Sequence, residues 1–268
     1  MGAGPDALLR RGLAGRLEAD GHEVAIITIE APPNSWNAEV ATAFALAGEI
    51  AQYVARCRGE RRLSFILSGN CAPAAWGAVT GLGADAGVCW FDAHADFNTP
   101  ETTITGFLDG MALSALTGRC WTALMDGLPG FRPVADQSVL LLGARALDAL
   151  EDRALRQSGI MHLPSSAVAG ELPRATRRLS ELVSSAYVHV DLDVLDPSAA
   201  VANAYAEPGG LKPADLLAAV HVITAALAVP AVALTAYDPA GDKSGRAADV
   251  AIDVACAIAR TARHPVQS

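Results

Sequence analysis

Three side chains able to hold a cation or move a proton stand at alternate positions in VCWFDAHADFNTP, residues 88–100: Asp92, His94 and Asp96. A second pair, Asp191 and Asp193, follows the apolar run AYVHV. Burial makes an unpaired charge costly, so acids that end apolar runs need partners. Residues two apart in an extended chain point to the same side, so the trio can converge on one point and so can the pair. Four carboxylates brought together repel, and each resists ionising. A pair of divalent cations removes that conflict, because its charge inverts the local pKa logic. Oxygen-rich ligation with one imidazole suits manganese better than zinc, and two ions sharing carboxylates form a hydrolytic site. The plainer alternative is that Asp92 and Asp191 cap helices that start after their strands. Five ligand-type residues in two period-2 clusters weigh for the metal reading.

These residues need elements to position them. Short β-rich apolar runs recur along the chain: HEVAIITIE, LSFILSG, GVCWFDA, SVLLLGA, GIMHL, AYVHVDLD and AVALTAYD. Helical patterns lie between them, at 37–57, 110–117, 147–157, 172–183 and 213–227. Continuous apolar strands separated by helices imply an α/β fold with a mostly parallel sheet covered on both faces. The polar residues fall at the carboxyl ends of the expected strands: Gly69-Asn70-Cys71, the Asp92 cluster, Arg145 and Asp148, the Asp191 pair, and Tyr237-Asp238. That is the edge at which open α/β sheets bind ligands.

The bulk composition sets limits. A chain of 268 residues, 51% hydrophobic and 18% charged, fits one domain over residues 1–268. A formal charge of −9 argues against nucleic acid and anionic membrane as partners. The five cysteines, at 57, 71, 89, 120 and 256, are odd in number and form no CxxC pair, which points to a reducing cytoplasm rather than a disulfide scaffold. MGAGPDALLRRGLAGRL has an amphipathic helix pattern, unlike a signal peptide. Residues 216–237 are apolar over about the length of a membrane span, but Pro230 divides them into a buried helix and a buried strand.

The motifs resemble those of the ureohydrolase family: arginase, agmatinase, formiminoglutamase and relatives. DAHADFNTPETT is similar to that family's first metal motif and HVDLDVLDP to its second, while GAGPDALLRRGL, EPGGL at 207–211 and LTAYDPAGD at 234–242 resemble further family blocks. The resemblance implies a three-layer αβα sandwich, a homo-trimer or hexamer, and two manganese ions that activate water for attack on a guanidinium or amidine carbon of a small molecule. It implies that Asp92 and Asp191 bridge the metals, that Asp96 completes the first site and holds the nucleophile, and that His94 and Asp193 complete the second. It places Asn98 and Thr105 at the substrate's carboxylate, and Asp148 and Glu151 at its amino group.

Against the family pattern, four departures stand out. Cys71 occupies the place of a histidine that ligates the first metal, and a soft thiolate matches manganese poorly; the alternative is a small buried hydrophobe. Asp109 replaces the proton-shuttling histidine, and it equally suits an N-cap for the helix GMALSALTG. Ala236 stands where a glutamate grips the guanidinium, and Tyr205 where a small threonine is usual. The chain also begins past the family's first strand, so the sheet is expected to lack an interior strand and to carry two unpaired edges.

His189 faces the same way as Asp191 and reads as a satisfied histidine beside the metal residues, or as a contact one layer out. His22, His162, His221 and His264 read as structural, Trp90 and Phe91 as core, Arg145 as a tie between loops, and ARCRGERR (55–62) as a solvated helix end. The expected function is a manganese-dependent hydrolase of a guanidino-type C–N bond in an amino-acid-like substrate. The alternatives are an Nω-hydroxyarginine or formimino-compound hydrolase, and an inactive member with a structural or regulatory role.

Overall fold

The structure, a computed structural model, describes residues 1–31, 38–83 and 85–261. The expected helix start at residue 37 and His264 lie outside the described residues. In chain order the elements are α1 (Gly4–Arg10), α2 (Leu13–Ala19), α3 (Glu39–Gly59), β1 (Ser64–Leu67), α4 (Cys71–Leu82), β2 (Ala86–Phe91), α5 (Ala112–Leu116), α6 (Thr122–Met125), β3 (Val139–Leu142), α7 (Ala149–Gln157), β4 (Met161–Leu163), α8 (Ser165–Ser180), β5 (Ser185–Asp191), α9 (Pro213–Ala226), β6 (Ala228–Thr235) and α10 (Arg246–Thr261). The single N-terminal helix expected from the sequence is two helices, broken where Gly12 takes a φ of 101°.

The six strands form one parallel sheet in the order β1-β6-β5-β2-β3-β4. One face packs on α1, α2, α8, α9 and α10, and the other on α3, α4 and α5, which makes the αβα sandwich. From β2 the chain steps outward through β3 and β4; from β5 it steps the opposite way to β6. The β2/β5 pair is therefore the topological switch point, where crevices open beyond the carboxyl ends of strands. β2 and β5 deliver Asp92 and Asp191 to that point.

Two expectations need correction. HEVAIITIE joins no ladder, and Ile26 and Ile27 are 58% and 54% exposed. β-propensity alone does not make a strand, which exists only by pairing. The sheet ends at β1, a terminal strand beside β6. The helix expected at 172–183 starts earlier, at Ser165, and ends at Ser180. Pro230 lies inside β6, which proline normally avoids for want of an N–H. It is accommodated where the β5–β6 register shifts between Ser185 and Tyr187, before pairing with β1 begins at Ala231. Among the described residues no helix is long and apolar enough to cross a membrane.

Every residue of α4 is buried. Gly77 and Gly81, one turn apart, let it lie close on α3: a Cβ at Gly77 would stand 2.6 Å from Cβ of Ile50, and one at Gly81 would stand 2.6 Å from the Ala51 carbonyl oxygen. This close seat fixes Cys71, the first residue of α4, under the sheet's carboxyl edge. Gly143, just after β3, has φ of 97°, and a Cβ there would lie 2.7 Å from Val194 Cγ2 and 3.1 Å from the Asp92 carbonyl oxygen. Gly143→Ala should therefore cost about 2–3 kcal/mol, through backbone strain and overpacking together. Urea unfolding checks this, and an unchanged midpoint would refute it.

Candidate metal centre

The two acidic motifs use the same local device. Asp92 Oδ1 accepts the His94 backbone N–H at 2.7 Å, and Asp191 Oδ1 accepts the Asp193 N–H at 2.9 Å. Each Asp turns the chain as it leaves its strand by bonding its own backbone two residues on. The capping alternative thus holds for one oxygen of Asp191, the N-cap of a 3₁₀ turn at Leu192–Val194, while no helix starts directly after Asp92, whose bond only turns the chain. The second oxygens point elsewhere: Asp92 Oδ2 receives Trp90 Nε1–H at 3.1 Å, and Asp191 Oδ2 receives the Cys71 thiol at 3.1 Å. Convergence therefore comes from turns beyond the strand, since β2 ends at Phe91.

Asp96 lies in the left-handed region at φ of 50°, a conformation Asp tolerates better than most residues. Its carbonyl caps α5 by accepting the N–H groups of Leu113 and Ser114. Its side chain is buried, and Oδ2 has no hydrogen-bond partner. A buried carboxylate oxygen without a partner is a site that wants a cation or a proton.

The groups form two overlapping sets that share Asp92. His94 Nδ1 lies 3.3 Å from Asp92 Oδ1 and 3.6 Å from Asp193 Oδ2, and these three residues have donor atoms within 4.8 Å of one another. Cys71, Asp92 and His189 form the other set on the same criterion. The Asp193 carboxylate also takes the Ala93 N–H and an Asn203 amide hydrogen, at 3.2 and 3.3 Å.

Burial raises the pKa of Asp96 and Asp191 well above the carboxylate range, with neighbouring carboxylates adding to it. Burial pushes Asp193 up to about 7. Asp92 moves down: burial works against its charge, but the hydrogen bond and charge of His94 prevail. His94 responds by rising to about 9 although burial opposes its charge, because Asp92 holds its proton. Burial pushes His189 down to about 3, so that ring is neutral. The chain alone thus holds too much negative charge in one dry place, which fits a site for divalent cations. The Asp92–His94–Asp193 set, oxygen with one imidazole, fits manganese; the set containing Cys71 fits it poorly.

The remaining sequence-predicted residues divide. Asn98 Nδ2 bonds Asp148 Oδ2 at 3.1 Å, so these two candidate substrate readers stand side by side. Thr105 is exposed, its hydroxyl accepting the Phe107 N–H at 3.1 Å. Glu151 is buried, and both of its oxygens are engaged by backbone, from Phe97 N at 2.8 Å and Asp148 N at 3.1 Å. It forms a capping box with Asp148 at the start of α7. Asp109 neither caps its own helix nor projects into solvent. It accepts Ala72 N–H at 3.0 Å and Asn70 Nδ2–H at 2.6 Å, so it caps α4 from a distant loop. Arg145 ties loops as expected, donating to the carbonyls of Gly143, Asp193 and Glu207 at 3.0, 3.0 and 2.7 Å.

Sequence reasoning understated His189. Its partner across the β2–β5 ladder is Trp90, and the two rings stack with centroids 3.7 Å apart at 10°. The period-2 spacing to Asp191 was the signal.

Two outcomes follow. Asp109→Ala should lower stability by about 1–2 kcal/mol, the worth of a helix cap, in urea unfolding. Without metal, stability should fall as pH rises from about 6.5 to about 9. A histidine raised to about 9 contributes stability present below the usual imidazole range and lost as pH rises through 9. Carboxylates raised in the fold act in the same direction, Asp193 up to about 7. His189 acts oppositely, but only below its unfolded pKa. Calorimetry on chelator-treated protein should show Tm falling over this window, with added manganese offsetting the fall; a rising Tm would contradict the charge balance described.

The arginase-family sequence profile matches residues 2–260. An Nω-hydroxy-L-arginine amidinohydrolase of Streptomyces lavendulae is 35% identical over 53% of this chain, and the match spans 48%, about half, of that relative's length. An arginase of Agrobacterium fabrum is 28% identical over 95% of this chain and 84% of its own. Among solved structures, the arginase of Bacillus cereus superposes with a TM-score of 0.87 at 27% identity, covering 96% of this chain and 91% of the other. With both acidic motifs at the switch point of a parallel αβα sheet, the chain belongs to the arginase family.

Proposed function

We propose that this protein is a metal-dependent hydrolase of a guanidino-type or amidine C–N bond in a small amino-acid-like substrate. The observation that carries the reading is the pair of overlapping donor sets sharing Asp92, together with a partnerless oxygen on Asp96, on which the Asp92 charge acts. A divalent cation pair, with manganese at the Asp92–His94–Asp193 position, would supply the nucleophile and stabilise developing negative charge. Asp96 Oδ2 accepts the proton of the attacking water and returns it to the leaving amine nitrogen. The neighbouring Asn98 and Asp148, with Thr105, hold the amino-acid head. Glu151 and Arg145 keep those loops in place, and Asp109 holds the start of α4 through the Ala72 N–H and the Asn70 side chain.

The substrate end that reacts is less basic than a guanidinium. Residue 236, at the carboxyl end of β6, is an alanine, buried at φ of 57°, with its carbonyl accepting Asn203 Nδ2–H at 2.8 Å. It offers no carboxylate to a guanidinium. An Nω-hydroxyguanidine or a formimino group needs no full counter-charge, and the similarity to the Streptomyces hydroxyarginine hydrolase agrees with the first. Tyr205, 52% exposed and stacked on Phe107 at 6.1 Å, narrows the rim that such a substrate would pass.

The test is turnover of L-arginine, agmatine, Nω-hydroxy-L-arginine and N-formimino-L-glutamate with manganese present. The hydroxyguanidine should give the highest kcat/KM, and Asp92→Ala should remove detectable product. Ala236→Glu should shift the preference toward arginine by roughly tenfold or more, through the new charge-assisted contact. No turnover of any of the four would defeat the enzymatic reading in favour of a ligand-binding one.

A further inference from the structure

Cys71 Sγ and His189 Nε2 face the same point. Thr235 Oγ1 lies 3.2 Å from the first and 3.1 Å from the second. Both atoms belong to the set that includes Asp92, with all three side chains buried. The His189 ring is held as a ligating imidazole must be. Its Nδ1 is 2.8 Å from the Tyr187 hydroxyl, and Trp90 stacks flat on its face. A partner on one ring nitrogen fixes the tautomer and aims the other nitrogen. The Thr235 hydroxyl has a second acceptor to turn to, the Val190 carbonyl at 3.4 Å. Independently of the cysteine, Asp96 presents a buried oxygen with no partner, and its charge acts on the Cys71 thiol, as do those of Asp191 and Asp92.

We infer that His189, delivered from β5, supplies to the first metal position the imidazole that residue 71 lacks, and that Cys71, His189 and Asp92 together select a borderline, thiophilic divalent cation of the zinc or cobalt(II) kind over manganese. The inference rests on the reading of the site as a metal centre. Its chemistry is ligand softness: thiolate and imidazole favour zinc-like ions, whereas carboxylate-rich sets favour manganese. The thiol proton leaves to solvent as the cation enters. The centre is then a mixed one, with a zinc-like ion at Cys71–His189–Asp92 and manganese at Asp92–His94–Asp193.

The test uses full-length protein stripped by chelator, incubated with equimolar zinc and manganese, desalted and analysed for both elements. Zinc and manganese should both be retained by the wild type. Cobalt(II) loading should give a near-ultraviolet thiolate-to-cobalt charge-transfer band that is absent from Cys71→Ser. His189→Gln should lower apparent zinc affinity roughly tenfold or more while leaving manganese retention intact. Cys71→His should abolish the charge-transfer band and shift the first position toward manganese. Two manganese ions per wild-type chain with zinc excluded, or no charge-transfer band, would overturn the inference while leaving the metal-centre reading in place. Unchanged zinc affinity in His189→Gln would also overturn it, by placing His189 outside the ligand set. Failure of the wild type to retain any cation would instead bring down the metal-centre reading itself. The wild-type measurements decide between these outcomes even where a variant fails to fold.

Discussion

Mutual repulsion among buried carboxylates is the constraint around which the rest of the molecule is arranged. Asp92, Asp96, Asp191 and Asp193 are each almost fully buried at one end of the sheet, where their charges act on one another. No apolar core would gather them without compensation, since each buried like charge makes the next harder to ionise. The compensation present in the chain is partial. His94 pairs with Asp92, backbone N–H groups engage one oxygen of Asp92, Asp191 and Asp193, and the Arg145 guanidinium holds the surrounding carbonyls rather than the acids. What is left over is negative charge, which the fold holds ready for cations.

The sheet makes this crowding possible. At the β2/β5 switch point two strands end side by side and their chains leave in opposite directions, which opens a space that neither connection fills. The backbone turns of Asp92 and Asp191 occupy that space, and the same turn bond in each leaves the second oxygen for another partner, Trp90 Nε1–H for Asp92 and the Cys71 thiol for Asp191. The αL conformation of Asp96 serves the same end, with its carbonyl fixed by α5 and its Oδ2 left without a partner.

How much of this was legible in the sequence follows from which interactions are local. Strands β1 to β6 and the acids at their ends could be read because burial on both faces gives apolar runs, and the turn to polar residues marks each strand's end. HEVAIITIE misled because its pattern is that of a strand, while pairing is a tertiary matter that a local pattern does not carry. The surroundings of Asp109 and Glu151 were illegible for a related reason. A carboxylate in a motif looks like chemistry, but whether it meets a ligand or a backbone N–H depends on segments 37 or more residues away in the case of Asp109 and Ala72, and 54 away for Glu151 and Phe97. His189 was visible by period but not by role, because its neighbour Trp90 is set by strand register.

Capping also explains how residue 71 can change identity while the centre keeps its place. The position of Cys71 is set by backbone: α4 is seated on α3 through Gly77 and Gly81, and its N-terminus is anchored by Asp109 through Ala72 and by the Asn70 side chain. None of these contacts involves the side chain at 71, so an imidazole can be exchanged for a thiol without moving the helix. The space and the missing nitrogen are then matters for the opposite wall, where β5 carries a histidine two residues before Asp191. The wall was already shaped for a ring, since β2 places Trp90 flat against that site. An exchange of ligand type between two elements, at constant backbone, alters which cation the pocket favours far more readily than it alters the fold, because softness is a property of the donor atoms and position is a property of the chain.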